Sequence, residues 1–483
     1  MSKFFVTTPI YYVNDKPHIG HAYTTIAADV LARYHRQHGD EVLFSVGLDE
    51  NSQKTVEAAE KAGQKTADYA EEMAKIWQDT WQKLGISADV FIRTTGAEHH
   101  QTVEAFMAAV DPEDIYKGVY EGWYCVACEE FKRDSDLKDG YCLLHPNRKA
   151  ERLKEDNYFF KLSRYQDQLL DYFKRHHDFV QPVSRRNEVL AFIERGLEDF
   201  SISRATQDWG IPFPGDDQQV IYVWFDALVN YLTATGYPQA DFDQWWPADL
   251  HIVGKDIIKF HCIYWPAMLL SAKLKLPERV FAHGFFTIDG TKISKSLGNA
   301  IDPLELVKDY GNDALRYYLL REIPFGGDGD FSRQRFETVY NADLANELGN
   351  LVQRTASMVE RYFEGQIPPP PKHSHDMTAF HNALAELRFD KALAEIWTFV
   401  KGSNQFIDES KPWELAKTDT EHLTEVLGHV VADLALIAEL LLPFLPTTAA
   451  KISQTLAQGR VDKSVGLLFP KRDTIEHTEL KLS

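Results

Sequence analysis

The first fifty residues follow a strand–helix–strand pattern, and this pattern limits the fold more than any other feature of the chain. The stretch KFFVTTPIYYV is rich in β-branched and aromatic residues, which favour a strand. Residues 17–34 follow with apolar side chains near helical spacing, and DEVLFSVGLDE then has the composition of a buried strand. A strand, a helix and a second strand at this spacing form a βαβ unit, so the sequence predicts a parallel sheet.

The α/β pattern stops near Pro112 and resumes about a hundred residues later. Short aromatic segments, turns and three cysteines fill the interruption. The α/β pattern resumes with QVIYVWFDALVNYL and DLHIVGKDIIKFHCIYWPAML. From about Asn341 onward almost all of the sequence has helical periodicity. We therefore predict an α/β fold in which a doubly wound, Rossmann-like parallel sheet is split by an insertion and followed by an all-α helical bundle.

Length and charge limit the function. The chain has 483 residues, which is too long for one ordinary domain, and a formal net charge of −20. Such acidity argues against loose, non-specific binding of nucleic acid, but it allows a specific RNA partner. Four cysteines are too few for a disulfide scaffold, and the N-terminus does not resemble a signal peptide. We therefore expect a cytoplasmic protein without a membrane span.

The start of the first predicted helix carries two histidines, His18 and His21, with Gly20 between them. The sequence has no Walker A loop and no intact G-x-G-x-x-G after the first strand. The helix nevertheless begins directly after that strand, where open α/β sheets bind phosphates at a positive helix terminus. The histidines and Gly20 are therefore candidates for a nucleotide site, although two polar residues at a helix start have the same pattern.

The loop DGTKISKSLGN lies after the last predicted strand and contains two lysines and two serines between glycines. These residues are Lys292, Ser294, Lys295 and Ser296. Two lysines on a glycine-flanked loop suit a clamp over phosphates. An ordinary surface loop is the alternative interpretation.

Four potential metal ligands lie in the interruption with the spacing C-x2-C-x13-C-x2-H. They are Cys125, Cys128, Cys142 and His145. Two close pairs of sulfur and nitrogen ligands are typical of a tetrahedral zinc site. We predict Zn²⁺ in a structural role, because the ligands fall in the insertion and not in the predicted nucleotide domain. Unmetallated thiols are the alternative, and Cys262 is left over as a small apolar residue.

Taken together, P-H-I-G-H and K-I-S-K-S resemble the two signatures of class I aminoacyl-tRNA synthetases. The stretches TTPIYYVNDKPHIGHAYT, GLDENSQK, YVWFDALVNYL, HIVGKDIIKFHCIYWPAML, AHGFFTIDGTKISKSLGN and SKPWELA are similar to the methionyl-tRNA synthetase family. They extend from residue 7 to residue 416, and the single His-containing knuckle resembles one branch of that family. Ile293 stands where the family often has Met, which is a change between apolar residues.

The resemblance implies a methionine–tRNA ligase. ATP and methionine would give methionyl-adenylate and pyrophosphate, and the methionyl group would then pass to the 3′-terminal adenosine of tRNA(Met). It implies that His18, His21, Lys292 and Lys295 act on the ATP phosphates together with Mg²⁺. It also implies an ATP site that includes Gly20, Gly254, Asp256, Ser294 and Ser296.

The resemblance further implies two recognition sites and a set of domain boundaries. Asp49 would pair with the methionine ammonium group, and the methionine side chain would lie among Ile10, Tyr12, Trp224, Ala227, Leu228, Tyr231, Ile257, Phe260 and His261. The anticodon would be read by Asn350, Arg354 and Trp413. The expected segments are a first catalytic half (1–114), a connective insertion with the zinc knuckle (115–219), a second catalytic half (220–288), a lysine-loop and stem-contact region (289–344), a helical anticodon-binding domain (345–470) and a tail (471–483). Because this resemblance includes no C-terminal dimerisation domain, we expect a monomer.

Two alternative functions remain at this stage. Another class I synthetase, such as the cysteinyl enzyme, would place zinc in the amino-acid pocket with dispersed ligands, whereas here the ligands cluster in the insertion. A non-catalytic tRNA-binding relic would be expected to lose histidines or lysines from the two signatures, and both signatures are intact.

Overall fold

The computed structural model describes residues 2–288, 290–292, 300–369, 371, 375–457, 459–461 and 467–472. The chain divides into two compact units, Met1–His283 and Gly284–Ser483. Among the helices of these described ranges, none is both long and apolar enough to cross a membrane.

The first unit begins with alternating strands and helices, as the sequence predicts. The elements are β1 (Lys3–Tyr12), α1 (Ile19–Gln37), β2 (Glu41–Asp49), α2 (Gln53–Ala62), α3 (Thr66–Lys83), β3 (Val90–Arg93) and α4 (Ala97–Ala109). Helix α1 begins directly after its histidine cap, and a run of buried side chains from Ala22 to Ala32 packs it against the sheet.

The interruption folds mainly as antiparallel strands with two helices. The elements are β4 (Ile115–Cys125), β5 (Glu130–Lys132), β6 (Leu137–Lys138), β7 (Tyr141–Cys142), β8 (His145–Lys149), β9 (Glu151–Phe160), α5 (Gln166–Arg175), β10 (Val180–Gln181), α6 (Val183–Glu194), β11 (Phe200–Ser201), β12 (Ser203–Arg204), β13 (Pro212–Phe213) and β14 (Asp216–Ile221). Strands β4 and β9 pair antiparallel over ten residues.

The unit ends with the second part of the α/β layer. The elements are α7 (Val223–Leu228), α8 (Asn230–Thr233), β15 (Leu250–Gly254), a 3₁₀ turn (Lys255–Ile257), a π-helical turn (Phe260–Tyr264), α9 (Trp265–Ser271) and β16 (Val280–His283).

One parallel sheet of six strands organises this unit, in the order β10-β16-β15-β1-β2-β3. The predicted Rossmann-like sheet is thus confirmed. Strand β10 comes from within the segment 115–219, so a short piece of the interruption completes the edge of the main sheet. A register shift between Thr7 and Ile10 interrupts the pairing of β1 with β2 just before the end of the strand.

The second unit contains a small sheet and then helices. The elements are β17 (Phe286–Ile288), β18 (Thr291–Lys292), α10 (Pro303–Tyr310), α11 (Asn312–Arg321), β19 (Gly329–Phe331), α12 (Arg333–Val339), a π-helical segment (Tyr340–Gly349), α13 (Asn350–Phe363), α14 (Thr378–Ala385), α15 (Phe389–Ser410), α16 (Pro412–Thr418), α17 (Thr420–Leu441) and α18 (Pro446–Ala457). The predicted all-α C-terminal region is confirmed over the described residues.

Candidate active site and metal centre

The candidate site lies where the order of the parallel strands reverses. From β1 the chain continues to β2 and β3 on one side of the sheet, whereas β15 and β16 occupy the other side. Open α/β sheets bind ligands in the crevice outside the carboxyl ends of their strands at such a switch point. The carboxyl ends of these strands carry Tyr12, Asp49, Gly254 and His283, three of which the sequence analysis singled out.

The two signature histidines build the first turn of α1. His18 is the helix cap, and its Nδ1 accepts a hydrogen bond of 3.1 Å from the Gly20 N–H. In the opposite direction, Nδ1 of His21 accepts a hydrogen bond of 3.1 Å from the His18 N–H. The two rings stack with centroids 3.7 Å apart. Since each Nδ1 is an acceptor, each neutral ring carries its proton on Nε2 and is a hydrogen-bond donor at a positive helix terminus.

The far side of the switch point is joined to this helix by a buried hydrogen bond. The Thr24 hydroxyl of α1 lies 2.7 Å from Nε2 of His283, at the end of β16. Gly254 pairs with His283 across the sheet, and a Cβ at Gly254 would come within 2.5 Å of the Asp256 carboxylate. The absence of a side chain at Gly254 thus leaves room for the carboxylate of the exposed Asp256 close to the backbone at the strand end.

Asp49 is a buried titratable group at the carboxyl end of β2. It is 3% exposed, and its Oδ1 has no hydrogen-bond partner among the described residues. Burial raises the pKa of Asp49 well above the ordinary aspartate value, and the nearby carboxylates of Asp226 and Glu129 raise it further. The Lys54 ammonium group acts in the opposite direction. The pocket therefore holds more negative than positive charge and favours a cationic group beside Asp49.

Two further pocket side chains have buried polar atoms. In the part of the chain that the structure describes, neither the Tyr12 hydroxyl nor the Trp224 Nε1 has a hydrogen-bond partner. The Lys54 ammonium nitrogen lies 3.8 Å from the centre of the Tyr12 ring. The Trp224 ring stacks on Phe260 with a centroid distance of 3.8 Å and an angle of 4°. Buried polar atoms without partners, next to stacked aromatic rings, suit a ligand that has both polar and apolar groups.

Tyr231 and His261 form a hydrogen-bonded pair with a defined proton arrangement. The His261 Nδ1 lies 3.0 Å from the carbonyl oxygen of Ile257, which can only accept, so Nδ1 carries the proton. The Tyr231 O–H then donates to Nε2 over 2.6 Å. Burial lowers the pKa of His261 to about 4, which keeps the ring neutral at pH 7. The Tyr231 O–H and the His261 Nδ1–H thus both donate within the protein. To donate to the sulfur of a bound methionine, either group would have to break its present hydrogen bond.

The cysteine–histidine cluster is assembled as the spacing predicts. Cys125 ends β4, and Cys142 and His145 face each other across the β7–β8 turn. The Cys128 Sγ lies 3.6 Å from the Cys142 Sγ and 3.2 Å from Nδ1 of His145, and all four ligand atoms lie within 4.8 Å of one another. A zinc tetrahedron with Zn–S bonds of about 2.3 Å has edges of about 3.8 Å, so this donor set fits Zn²⁺.

Comparison with known proteins decides the family. The family model of class I tRNA synthetases (M) matches residues 4–143 and 132–356, and that of the anticodon binding domain of methionyl tRNA ligase matches residues 372–465. The methionine–tRNA ligase of Thermotoga maritima is 47% identical over 495 residues, which covers 99% of this chain and 77% of the relative. The chain belongs to the methionyl-tRNA synthetase family. It is thus a class I aminoacyl-tRNA synthetase and a methionine–tRNA ligase.

Other relatives and solved structures agree with this assignment. The methionine–tRNA ligase of Thermosynechococcus vestitus is 48% identical over 93% of this chain and 89% of its own length. A Mycobacterium tuberculosis methionyl-tRNA synthetase in complex with methionyl-adenylate superposes with a TM-score of 0.88 at 39% identity, covering 98% of each chain. The free form of that synthetase gives a TM-score of 0.80 at 36% identity.

The lysine loop of this synthetase begins in the second unit. Strands β17 and β18 form a hairpin in which Thr287 pairs with Lys292. Gly290 turns the hairpin with φ +74°, and its N–H donates to the Asp330 carboxylate over 2.8 Å. A left-handed φ favours glycine at this position. The other predicted loop residues, Ser294, Lys295 and Ser296, lie outside the described residues.

The predicted anticodon residues lie in the helical unit. Asn350 and Arg354 are one turn apart on α13, and Trp413 is the second residue of α16, with 42% of its surface exposed. The Arg354 guanidinium pairs with the exposed Asp408 carboxylate of α15 over 2.6 Å. The helical unit thus carries a half-exposed aromatic ring at Trp413 and a partly exposed guanidinium group at Arg354.

Several residues of the site were missed by sequence reasoning. His283 ends a strand of the sheet, and its position at a strand terminus could have indicated it. Asp226 is buried on α7 and lies 2.6 Å from Nε2 of His99 on α4, a pairing across 127 residues that no local pattern shows. Lys54 lies on α2 over the Tyr12 ring, and Glu129 reaches this place because the interruption folds back onto α2.

Proposed function

We propose that this synthetase activates methionine with ATP and transfers it to tRNA(Met) through the residues described above. In the first step a methionine carboxylate oxygen bonds to the α-phosphorus of ATP, and the bond to pyrophosphate breaks. In the second step the 2′-hydroxyl of the terminal adenosine attacks the methionyl carbonyl, and AMP leaves. The carboxylate is already ionised at neutral pH, so the protein needs to position groups and stabilise charge.

The observation that carries the amino-acid assignment is the buried, unpaired oxygen of Asp49, considered within the described residues. A substrate ammonium group beside it would supply the missing donor and offset the charges of Asp226 and Glu129. The stacked Trp224 and Phe260 rings would contact the thioether, since a polarizable sulfur makes favourable contacts with aromatic rings. Ile10, Tyr12, Ala227, Leu228, Tyr231, Ile257 and His261 would complete the walls.

The phosphate assignment depends on the first turn of α1. The Nε2–H groups of His18 and His21 would donate to the ATP phosphates at the positive end of the helix. Gly20 would let the nucleotide approach the backbone, and Gly254 and Asp256 would meet the ribose. Lys292 and Lys295 would neutralise the leaving pyrophosphate, and Ser294 and Ser296 would bind ATP. Bound Mg²⁺ would supply further neutralisation of the phosphate oxygens.

The remaining proposals concern tRNA and the cell. Cys125, Cys128, Cys142 and His145 would hold a structural Zn²⁺ that shapes the insertion around the acceptor end of tRNA(Met). Asn350 and Arg354 would contact the edges of anticodon bases, and a base would stack on the exposed Trp413. The chain is proposed to act as a cytoplasmic monomer.

The test is amino-acid-dependent exchange between ATP and pyrophosphate, measured with each of the twenty amino acids. We expect exchange with methionine and a strong preference for it over cysteine. Exchange that is faster with cysteine would favour a cysteinyl enzyme, and no exchange with any amino acid would favour a non-catalytic relic.

A further inference from the structure

Two acidic residues directly follow the metal ligand Cys128, and we call Glu129 and Glu130 the knuckle hub. Glu129 is fully buried and adopts φ +54°. The backbone of a residue other than glycine is strained in this left-handed region. Such a conformation persists only where surrounding contacts hold it. The conformation of Glu129 is therefore held by specific contacts.

Glu129 contacts residues next to two walls of the proposed methionine pocket. Its Oε1 accepts a hydrogen bond of 2.9 Å from the Lys54 N–H at the start of α2, five residues after Asp49. Its backbone carbonyl accepts a bond of 2.5 Å from the hydroxyl of Tyr222, the residue that caps α7 and lies two positions before Trp224. A third bond of 2.5 Å comes from the Tyr124 hydroxyl of the insertion itself.

Glu130 contacts a third wall. Its carboxylate forms an ion pair with Lys259, the residue directly before Phe260 and His261. The same carboxylate pairs with Lys132 over 2.6 Å within β5. Lys259 thus joins the hub to the π-helical turn of the pocket, whereas Lys132 keeps its contact inside the insertion.

The hub therefore bridges both halves of the interrupted sheet domain. Lys54 belongs to the first half, and Tyr222 and Lys259 lie at or beyond the end of the interruption. We propose that Glu129 and Glu130 are positioning residues for methionine binding. When the metal knuckle is folded, their contacts hold the residues of the amino-acid pocket in place. The inference rests on the proposed methionine pocket, and it gives the knuckle a role in the first step of the reaction as well as in tRNA contact.

The experiment measures methionine binding to the full chain by titration calorimetry, with zinc content determined for every sample. Glu129→Gly removes the side chain and accepts the left-handed backbone, so the knuckle keeps its path. We expect one zinc per chain, a dissociation constant for methionine weakened about ten- to a hundredfold, and little change in KM for ATP. This size corresponds to loss of hydrogen bonds to a charged group.

A matched pair of lysine variants tests the second arm of the hub. Lys259→Met and Lys132→Met each remove one cation from Glu130, but only Lys259 belongs to a pocket wall. We expect methionine binding to weaken about tenfold or more in Lys259→Met, as for a lost charged hydrogen bond, and to stay near wild type in Lys132→Met. Equal effects of the two variants would overturn the role of Glu130.

Zinc removal by a chelator completes the test. We expect chelation to weaken methionine binding by the wild type. It should have little further effect on Glu129→Gly, because this variant already lacks the side-chain contacts between the knuckle and the pocket. Unchanged affinity in zinc-loaded Glu129→Gly would overturn the inference while leaving the pocket in place. If that variant loses its zinc, unchanged affinity in Lys259→Met overturns it instead. A wild-type chain that does not bind methionine would overturn the pocket and the inference together.

Discussion

The proposed amino-acid pocket and the proposed anticodon surface offer their ligands opposite physical conditions. Asp49 in the pocket is 3% exposed, and the described residues leave one of its oxygens without a donor. Trp413 on the helical unit is 42% exposed, and Arg354 of the same unit is paired with the exposed carboxylate of Asp408. A small zwitterion can be surrounded by dehydrated walls, whereas a tRNA loop needs an open surface on which splayed bases can stack.

This contrast predicts different consequences of substitution. A buried polar group interacts in a low dielectric, so its loss changes both binding and the free energy of unfolding. An exposed ring contributes little to folding and acts only when its partner is present. The following experiments test that separation in order of decreasing effect.

The largest effect is expected from Asp49→Asn. The variant removes the charge that pairs with the substrate ammonium, and breaking a buried pair costs about 3–5 kcal/mol. The kcat/KM for methionine in pyrophosphate exchange should fall by about a hundredfold or more, with KM for ATP nearly unchanged.

The same substitution should not destabilise the fold. Burial raises the pKa of Asp49 in the folded chain, so this carboxyl group lowers the free energy of unfolding at pH values above the ordinary aspartate pKa. Asn removes that cost, and we expect a melting temperature equal to or above that of the wild type. A lower melting temperature, or methionine activation within a factor of ten of wild type, would contradict the assignment.

Lys295→Ala should have the next largest effect. If Lys295 neutralises the leaving pyrophosphate, kcat for adenylate formation should fall by an amount equivalent to about 2–4 kcal/mol, with KM for methionine little changed. Lys308→Ala on the exposed side of α10 is a matched control and should remain near wild type. Equal pyrophosphate-exchange rates for the wild type and Lys295→Ala would reject the role.

The neutral His261 gives the pocket a pH signature. Its folded pKa is about 4, below the ordinary value of 6.5, so the unfolded chain takes up a proton first as the pH decreases. The free energy of unfolding should therefore fall between pH 6.5 and pH 4, with at most about 3.4 kcal/mol contributed by this group. His261→Asn should show a smaller decrease in urea unfolding over this range. His251, whose pKa is also lowered, is present in both proteins, so equal pH slopes would contradict the assignment.

The sequence predicted those parts of the molecule that depend on local pattern. Strand alternation indicated the parallel sheet, and the spacing of Cys125 to His145 indicated the metal cluster. The contacts that shape the pocket could not be predicted in this way. Glu129 is hydrogen-bonded to Lys54, which is 75 residues away in the sequence, and Asp226 to His99, which is 127 residues away. Such pairs depend on how the interruption folds onto the sheet, which no short stretch of sequence encodes.

The smallest effect separates the two regions most sharply, because the helical unit contains one buried and one exposed tryptophan that can be compared. Trp413 is 42% exposed, whereas Trp397 on α15 is 4% exposed and packs against Tyr317 with ring centroids 4.4 Å apart. Stacking of one base on an aromatic ring contributes about 1–3 kcal/mol. Trp413→Ala should therefore lower kcat/KM for tRNA charging by about ten- to a hundredfold, with pyrophosphate exchange and the melting temperature near wild type.

Trp397→Ala is the control, since truncation of a buried tryptophan costs about 3–5 kcal/mol of stability. It should lower the melting temperature of the helical unit and reduce tRNA charging through loss of structure. If Trp413→Ala instead behaves like Trp397→Ala, the ring is a structural element and the anticodon role is wrong. If it changes neither charging nor melting, the exposed ring contacts no base, and recognition in this unit must depend on Asn350 and Arg354 alone.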